Sequence, residues 1–429
     1  MKRVYVWIEH RGDTINLVPT MLYYGLPLTL LLLFTFAACH PTPGKPPLPT
    51  TVGQSATSVP VTPPARLPTD AGLATADRRP PTLADLWEGD AHFVVDVAAT
   101  GLPMGESDTL LAPMGQLWSY LHASARSAGT VDQCGAPVDF PGCVVIYRSA
   151  DGITFQHDEP PVCQIACNQC PCTAEADHII QQQYPRVIEH NGHYWMVYEF
   201  QGRVMLRDSS DGLTWSEPTW VAESLIWELW YANCPAEERI GEHPFAPFHY
   251  ECLRGGPPGL LIDNDTLYVF MAQGQNPGAM GCFKRAVSDT DGDFVACRHN
   301  PLFVSAAEYG PEAKDATANS HFDFRTISSA EVVKVGAGED ARVYMFYEGV
   351  RGPGAGDPGD TQFGLGLARS MTPEIDGSWE KFLKNPILVD LPGNIGLGHA
   401  DLVELEGQTY LYTSLDGETR SRLQLVWAE

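Results

Sequence analysis

Basic residues are scarce in this chain. In 429 residues, 27 Lys and Arg stand against 53 Asp and Glu, a formal net charge of −26. Phosphate backbones are held by Lys and Arg, so this balance argues against a nucleic-acid partner. It suits a soluble, exported protein whose partner is neutral or cationic. Also missing is a Gly-rich phosphate loop that follows a strand and opens a helix, so a nucleotide-cofactor enzyme has no support. A convincing membrane span is missing too. The apolar run at residues 26–38 has Gly25 just before it and Pro27 within it, which break the helix and leave it short for a crossing.

That run has another use. Lys2, Arg3 and Arg11 precede it, and it ends Phe36-Ala37-Ala38-Cys39. Small residues just before a Cys resemble a bacterial lipoprotein cleavage box, with Phe36 where Leu is usual. Residues 1–39 are therefore expected to be a lipoprotein signal peptide, with Cys39 lipidated. The protein would be exported and membrane-anchored at the outer membrane, periplasm or cell surface. An ordinary signal peptide or a transmembrane anchor is the alternative. Residues 40–81 are rich in Pro, Thr, Ser and Ala and have few large apolar side chains, which predicts a disordered tether. Residues 82–429 are left for one folded domain.

Setting Cys39 aside leaves ten of the eleven cysteines, an even number in an exported chain. This favours disulfides. Cys163, Cys167, Cys170 and Cys172 lie close enough to mimic a metal site. Cys134, Cys143, Cys234, Cys252, Cys282 and Cys297 are also available as partners, so a disulfide-stapled loop is the expectation. Sequence spacing leaves the pairing open.

The fold shows in a repeat. Residues 184–215 carry three short runs rich in Val, Ile, Tyr, Trp and Phe. Asn191-Gly192 divides the first two, a strong hairpin signal. The same phrase begins at Asp108, Pro185, Pro258, Ala330 and Ala400, at intervals of 77, 73, 72 and 70 residues. A meander repeated at this period predicts a β-propeller. Third strands are expected at 144–148, 204–207, 285–288 and 364–370. Each leads to an Asp-Gly turn and an aromatic: Phe155, Trp215, Phe294 and Trp379. The aspartate caps backbone N–H groups, glycine supplies positive φ, and the aromatic fills the space between blades. Only 29 residues follow Ala400, room for three strands. The alternating run 92–97 is expected to pair with the C-terminal strand and close the ring, removing an exposed edge. The fold class is thus all-β, a five-bladed β-propeller of four-stranded antiparallel blades.

The phrases PRVIEHNGHYWMVYE, EVVKV…RVYMFYEG, KNPIL and GLGHADLVELEGQTYLY, in this order and phase, resemble the five-bladed propeller glycosidases of glycoside hydrolase families 43, 32, 62, 117 and 130. The resemblance implies a monomeric enzyme acting on poly- or oligosaccharide with axial carboxylates and no organic cofactor. One carboxyl must stay protonated to assist the leaving oxygen, while the other is ionised to activate water or attack. Crowding them separates their pKa values. His399 matches the last-blade histidine of family 43, which implies calcium as the metal there.

Family 43 commonly has Asp-Pro at the second inner strand, and this chain has Tyr184-Pro185. Candidate catalytic residues are Asp108, Glu251, Asp323 and Asp401. Glu251, in Tyr250-Glu251-Cys252, is similar to the family 32 phrase that holds the acid. Candidate substrate-binding residues are Glu106, Tyr184, His321, Arg325 and Glu331. Structural alternatives stay open: Asp108 as a turn cap, Glu251 as a loop carboxylate, Asp323 with Arg325 as an ion pair, and Asp401 turned from the axis. A non-catalytic propeller that binds glycan or protein is the second function. A sialidase-like enzyme is the third, because SADGITF and SSDGLTW are one residue short of the sialidase Asp-box and that fold needs six blades.

Overall fold

The computed structural model describes residues 79–103, 105–123, 131, 135, 144–158, 160–164, 182–200, 203–221, 256–273, 278–290, 292–305, 322–323, 326–351, 362–389, 397, 399–415 and 419–429. Cys39, Glu251, His321, Arg325 and the cluster 167–172 lie outside them.

Five antiparallel sheets follow one another along the chain. Blade one is β2 (Gly105–Leu111), β3 (Leu117–Ala123), β4 (Val144–Ser149) and β5 (Gln156–His157). Blade two is β6 (Gln182–His190), β7 (His193–Phe200), β8 (Arg203–Ser209) and β9 (Thr219–Trp220). Blade three is β10 (Pro258–Asp263), β11 (Thr266–Gln273), β12 (Ala279–Ala286) and β13 (Val295–Ala296), with β14 (Phe303–Val304) also on β12. Blade four is β15 (Thr326–Val335), β16 (Arg342–Arg351), β17 (Gln362–Ser370) and β18 (Trp379–Lys381), with β19 (Leu388–Val389) on β17. The third strand of blade three thus runs through 279–286, and the expected stretch 285–288 covers only its end and the next turn.

Blade five has three strands from the C-terminus: β20 (Asp401–Leu405), β21 (Gln408–Thr413) and β22 (Ser421–Trp427). Its fourth is β1 (Ala91–Val97), antiparallel to β22 with Phe93 opposite Leu425 and Val95 opposite Leu423. The ring closes as the alternation at 92–97 predicts. Arg422 pairs with Asp96 across this seam. A short helix that the sequence reading did not foresee, α1 (Leu83–Glu88), precedes β1. Thr82 and Asp85 form a capping box, and Gly89 ends the helix at φ 83°. Leu83 and Leu86 bury against Tyr344, Phe346 and Leu411 of blades four and five.

The Asp-Gly turns lock adjacent blades. Ser149 Oγ donates to Asp151 Oδ1 at 2.9 Å and accepts from Gly152 N, while Ile153 N and Thr154 N donate to the same Asp oxygen. Ser209 and Asp211 repeat the pattern. Tyr412 of blade five donates to Gly152 O at 2.7 Å, and Tyr120 of blade one donates to Gly212 O at 3.0 Å. Both glycines have positive φ, and a Cβ there would lie 2.8 and 2.7 Å from those hydroxyls. The four expected aromatics Phe155, Trp215, Phe294 and Trp379 are all buried between blades. Phe155 meets Tyr412 and Trp215 meets Tyr120 edge to face. In blade three a disulfide joins Cys282 to Cys297.

Candidate functional site

Side chains alternate faces along a strand, so an inner-strand residue and the residue two places on share a face. This makes two tiers at the start of the inner strands. The first tier sits where the chain enters the strand. Three residues there have left-handed backbone: Tyr184 at φ 58°, Ser329 at 48° and His399 at 51°. Such a conformation is uncommon for a bulky side chain and concentrates at functional sites. The strand pairing shifts register at the same points in blades two and four, between Gln183 and Arg186 and between Ser328 and Glu331. The bulge re-aims the residues that follow it.

The second tier brings together Asp108, Arg186, Glu331 and Asp401, from blades one, two, four and five. Arg186 Nη1 lies 3.0 Å from Glu331 Oε2 and 3.4 Å from Asp108 Oδ1, and it donates to Ser107 O at 3.1 Å. Val187 N donates to the other Asp108 oxygen. Asp401, fully buried, accepts from Thr109 N at 2.9 Å, from Thr109 Oγ1 at 2.7 Å and from Ser107 Oγ. Asp401 therefore ties blade five to blade one through Ser107 and Thr109, the neighbours of Asp108 on β2. Burial pushes the Asp108 carboxyl up to about 6 against the pull of Arg186, and the Asp401 charge adds to the rise. Glu331 is raised well above the usual carboxylate range by burial; Arg186 opposes this, while Asp108 and Asp401 reinforce it. Arg186 bridges two of these carboxyls, and the buried Arg420 is a second cation whose charge is coupled to that of Asp401.

The first tier forms a chain of rings and carboxylates. Glu106 Oε2 meets His122 Nδ1 at 2.8 Å. The His122 ring faces Tyr184 edge-on at 6.1 Å. Tyr184 stacks on His399 at 4.7 Å with the planes 32° apart. His399 Nε2 lies 3.4 Å from Glu348 Oε2, and Glu348 Oε1 accepts from Leu397 N at 3.1 Å. Burial pushes Glu106 up, but the His122 hydrogen bond and the charges of His399, His122 and Arg420 outweigh it, and its pKa is lowered. The buried Arg420 donates to the carbonyls of His399 and Tyr412 at 2.9 and 2.8 Å, and burial pushes it down to about 10.

Glu348 and Glu199 were not among the sequence candidates. Both lie near the end of a second strand, after a buried tyrosine, in Tyr347-Glu348 and Tyr198-Glu199. A Cβ on Gly256 would lie 2.6 Å from Glu199 Oε2, so that carboxylate abuts the start of the blade-three inner strand. Arg186 was also not among them. Asp323 lies elsewhere. It pairs with Lys381 at 2.7 Å and accepts from Tyr347 at 3.3 Å, neither of which belongs to the two tiers. Its ion-pair partner is the lysine of an outer strand, whereas the sequence reading offered Arg325.

Calcium takes six to eight oxygen ligands. His399 has, among the described residues, Glu348 at 3.4 Å and the stacked Tyr184 ring as neighbours, which by themselves do not make up that set. Among the described residues, no group of three or more His, Cys, Asp or Glu is set to hold a metal ion.

No family model and no curated protein matches the sequence. Among solved structures, the chain is similar to a thermostable family-43 glycoside hydrolase at 12% identity, covering 78% of this chain and 93% of that one, with a TM-score of 0.46. It is similar to an endo-arabinase from Bacteroides thetaiotaomicron at 13% identity, 78% and 98% coverage and a TM-score of 0.45. The catalytic domain of a GH62 α-L-arabinofuranosidase from Coprinopsis cinerea matches at 9% identity, 78% and 96% coverage and a TM-score of 0.44.

Proposed function

We propose that this protein is a glycoside hydrolase or a close relative, acting on poly- or oligosaccharide with axial carboxylates. The observation that carries the reading is the contrast between neighbouring tiers. Asp108 and Glu331 are raised, and Glu106 is lowered. Cleaving a glycosidic bond asks for that pairing, a carboxyl that keeps its proton beside a carboxylate that has lost it. In this reading the Asp108–Glu331 pair supplies the proton to the leaving oxygen, and Glu106 activates water or attacks. The chemistry needs no organic cofactor. The ligand is carbohydrate.

A second reading, a non-catalytic propeller that binds glycan or protein, draws on two observations. Arg186 ties down both raised carboxyls, and Tyr184 lies between His122 and His399 on the axis. A sialidase-like enzyme has less support: the two Asp-Gly turns are engaged in locking blades, and there are five blades. Export and anchoring through a lipid at Cys39 complete the proposal, resting on the composition of residues 1–39.

The test is hydrolysis of a panel of aryl glycosides and polysaccharides by the wild type, Asp108→Asn, Glu331→Gln and Glu106→Gln. Activity that none of these changes reduces would refute the assignment. Binding to a glycan array with no hydrolysis of any substrate would decide for the second reading.

A further inference from the structure

The chain enters the described fold at Arg79, beside α1. Arg79 pairs with Asp85 of α1 at 2.7 Å, and its carbonyl accepts from Trp427 Nε1 at 3.0 Å. On the same corner of the ring, the half-buried Trp87 of α1 meets the half-buried Phe382 at 5.3 Å, and Arg369 lies over the Trp87 ring at 4.2 Å. After Phe382 the chain makes a tight turn. Asn385 N donates to Phe382 O, and the Asn385 side chain pairs both ways with the backbone of Leu367, at 2.8 and 2.9 Å. Leu383 and Lys384 form the tip. Leu383 is 100% exposed, the extreme among the exposed large apolar side chains of the described residues. Lys384 is exposed too, with its Nζ against Gly89 where α1 ends. The turn itself does not ask for leucine. In blade three Asn300 makes the matching bond to Cys282 N, and the matching tip is Arg298-His299. Charge points the same way. A chain of net charge −26 is repelled as a whole by anionic headgroups. On this corner Arg79, Arg369 and Lys384 stand against Asp85, Glu88, Asp90 and Glu380, which leaves it close to neutral.

We propose that this corner is where the propeller rests on the phospholipid surface that holds its tether, with Leu383 at the boundary of headgroups and acyl chains, Trp87 at headgroup level and the Lys384 ammonium among the phosphates. The proposal rests on the reading of Cys39 as lipidated. An apolar side chain flanked by an aromatic ring and a long cationic side chain is the usual make-up of an interfacial contact. The contact need not be strong. A flexible tether over residues 40–78 has an end-to-end distance of about 35 Å. It presents the membrane at an effective concentration on the order of millimolar, so a contact too weak to hold the free protein is still populated. The tip follows β18, an outer strand of blade four. The ring would therefore lie on its rim, with the axial cluster opening along the surface and away from the lipid.

The test uses the full lipidated protein in vesicles of phosphatidylethanolamine and phosphatidylglycerol that carry a diazirine in the acyl chain. After irradiation, cross-linked residues are mapped by mass spectrometry. Cross-links are expected on residues 83–89 and 382–385. Replacing a leucine that enters the interface weakens the contact about tenfold, and a half-populated contact then loses about fivefold in occupancy. Leu383→Asp should lose that much cross-link yield on α1 while melting at the wild-type temperature, and Lys384→Glu should change the yield in the same direction. Cross-links concentrated on another face, such as the exposed Val94 and Val95 of β1, or an undiminished yield in Leu383→Asp, overturn the proposal. The intact mass of the mature protein separates the two readings. Without the mass of a lipid on Cys39, the anchoring fails and the contact fails with it. With the lipid present and no cross-links on this corner, the contact alone fails.

Discussion

Asp108→Asn separates an axial carboxyl under strain from a stabilising one. In the folded protein Asp108 titrates at about 6, against an ordinary 3.8. About two units at about 1.4 kcal/mol each come to about 3 kcal/mol. The folded state holds this proton more tightly than the unfolded chain does, so the contribution is fully present at low pH. It is lost as pH rises from about 4 through about 6. Asparagine has the same shape and no proton to lose. The stability of Asp108→Asn minus that of the wild type should therefore grow by about 3 kcal/mol between pH 4 and pH 8. Carboxylates held low, such as Asp85, Asp211 and Asp376, give stability that is lost as pH falls, but they are common to both proteins and cancel in the difference. Glu331 reinforces the result: the Asp108 charge raises it, so removing that charge lets Glu331 ionise more readily. The assay is urea unfolding followed by tryptophan fluorescence at unit steps from pH 4 to pH 8. A difference that stays flat within about 0.5 kcal/mol, or shrinks as pH rises, would refute the reasoning.

Tyr120→Phe and Tyr412→Phe each remove a donor from a buried glycine carbonyl and should cost about 1 kcal/mol; the two lie at different blade interfaces, so the double variant should lose their sum, measured by denaturant unfolding. Replacing Cys282 and Cys297 together by Ala opens a cross-link with a sequence separation of 15 and should cost about 3 kcal/mol. Denaturant unfolding of the variant and the wild type, both without reductant, checks this. Deleting the chain up to residue 98 strips β1 from β22 and bares one edge of the blade-five sheet. Loss of the monomer peak in size-exclusion chromatography is expected, and a soluble monomer with unchanged circular dichroism would contradict strand closure.

The blades were legible because the propeller repeats local signals. A hairpin turn, an alternating strand and an Asp-Gly turn with an aromatic recur in phase, and each needs only neighbours in the chain. The closing strand was legible for a complementary reason: the C-terminal blade was one strand short, and residues 92–97 alternated with no assigned partner. Helix α1 was hidden because six residues carry too little periodicity, and its Thr82–Asp85 box means little without the buried Leu83 and Leu86 beneath it. The third strand of blade three was misplaced because Ala279, Met280, Gly281 and Cys282 have little β character of their own. They are strand because β11 and β14 flank them.

The site was harder to read, and the reason is one of register. The position expected to point inward is the residue just before each expected inner strand, and it is Tyr184 in blade two and Ser329 in blade four, neither of them an acid. The backbone there is left-handed and bulged, so the charges that meet are two residues on: Arg186, Glu331 and Asp401, with Asp108 from blade one. A bulge is a property of strand pairing, and no single strand announces it. Glu348 and Glu199 carried a signal that could have been used. Each is the single carboxylate of its strand and directly follows an apolar and aromatic run, MFYE and MVYE. A charge that deep needs a partner or a task. For Glu348 the structure supplies partners in His399 and in Leu397 N. The carboxylates that cluster in this structure therefore lie two residues further along the inner strands, at Asp108, Glu331 and Asp401, and on the second strand, at Glu348. The missing Asp-Pro says nothing about them.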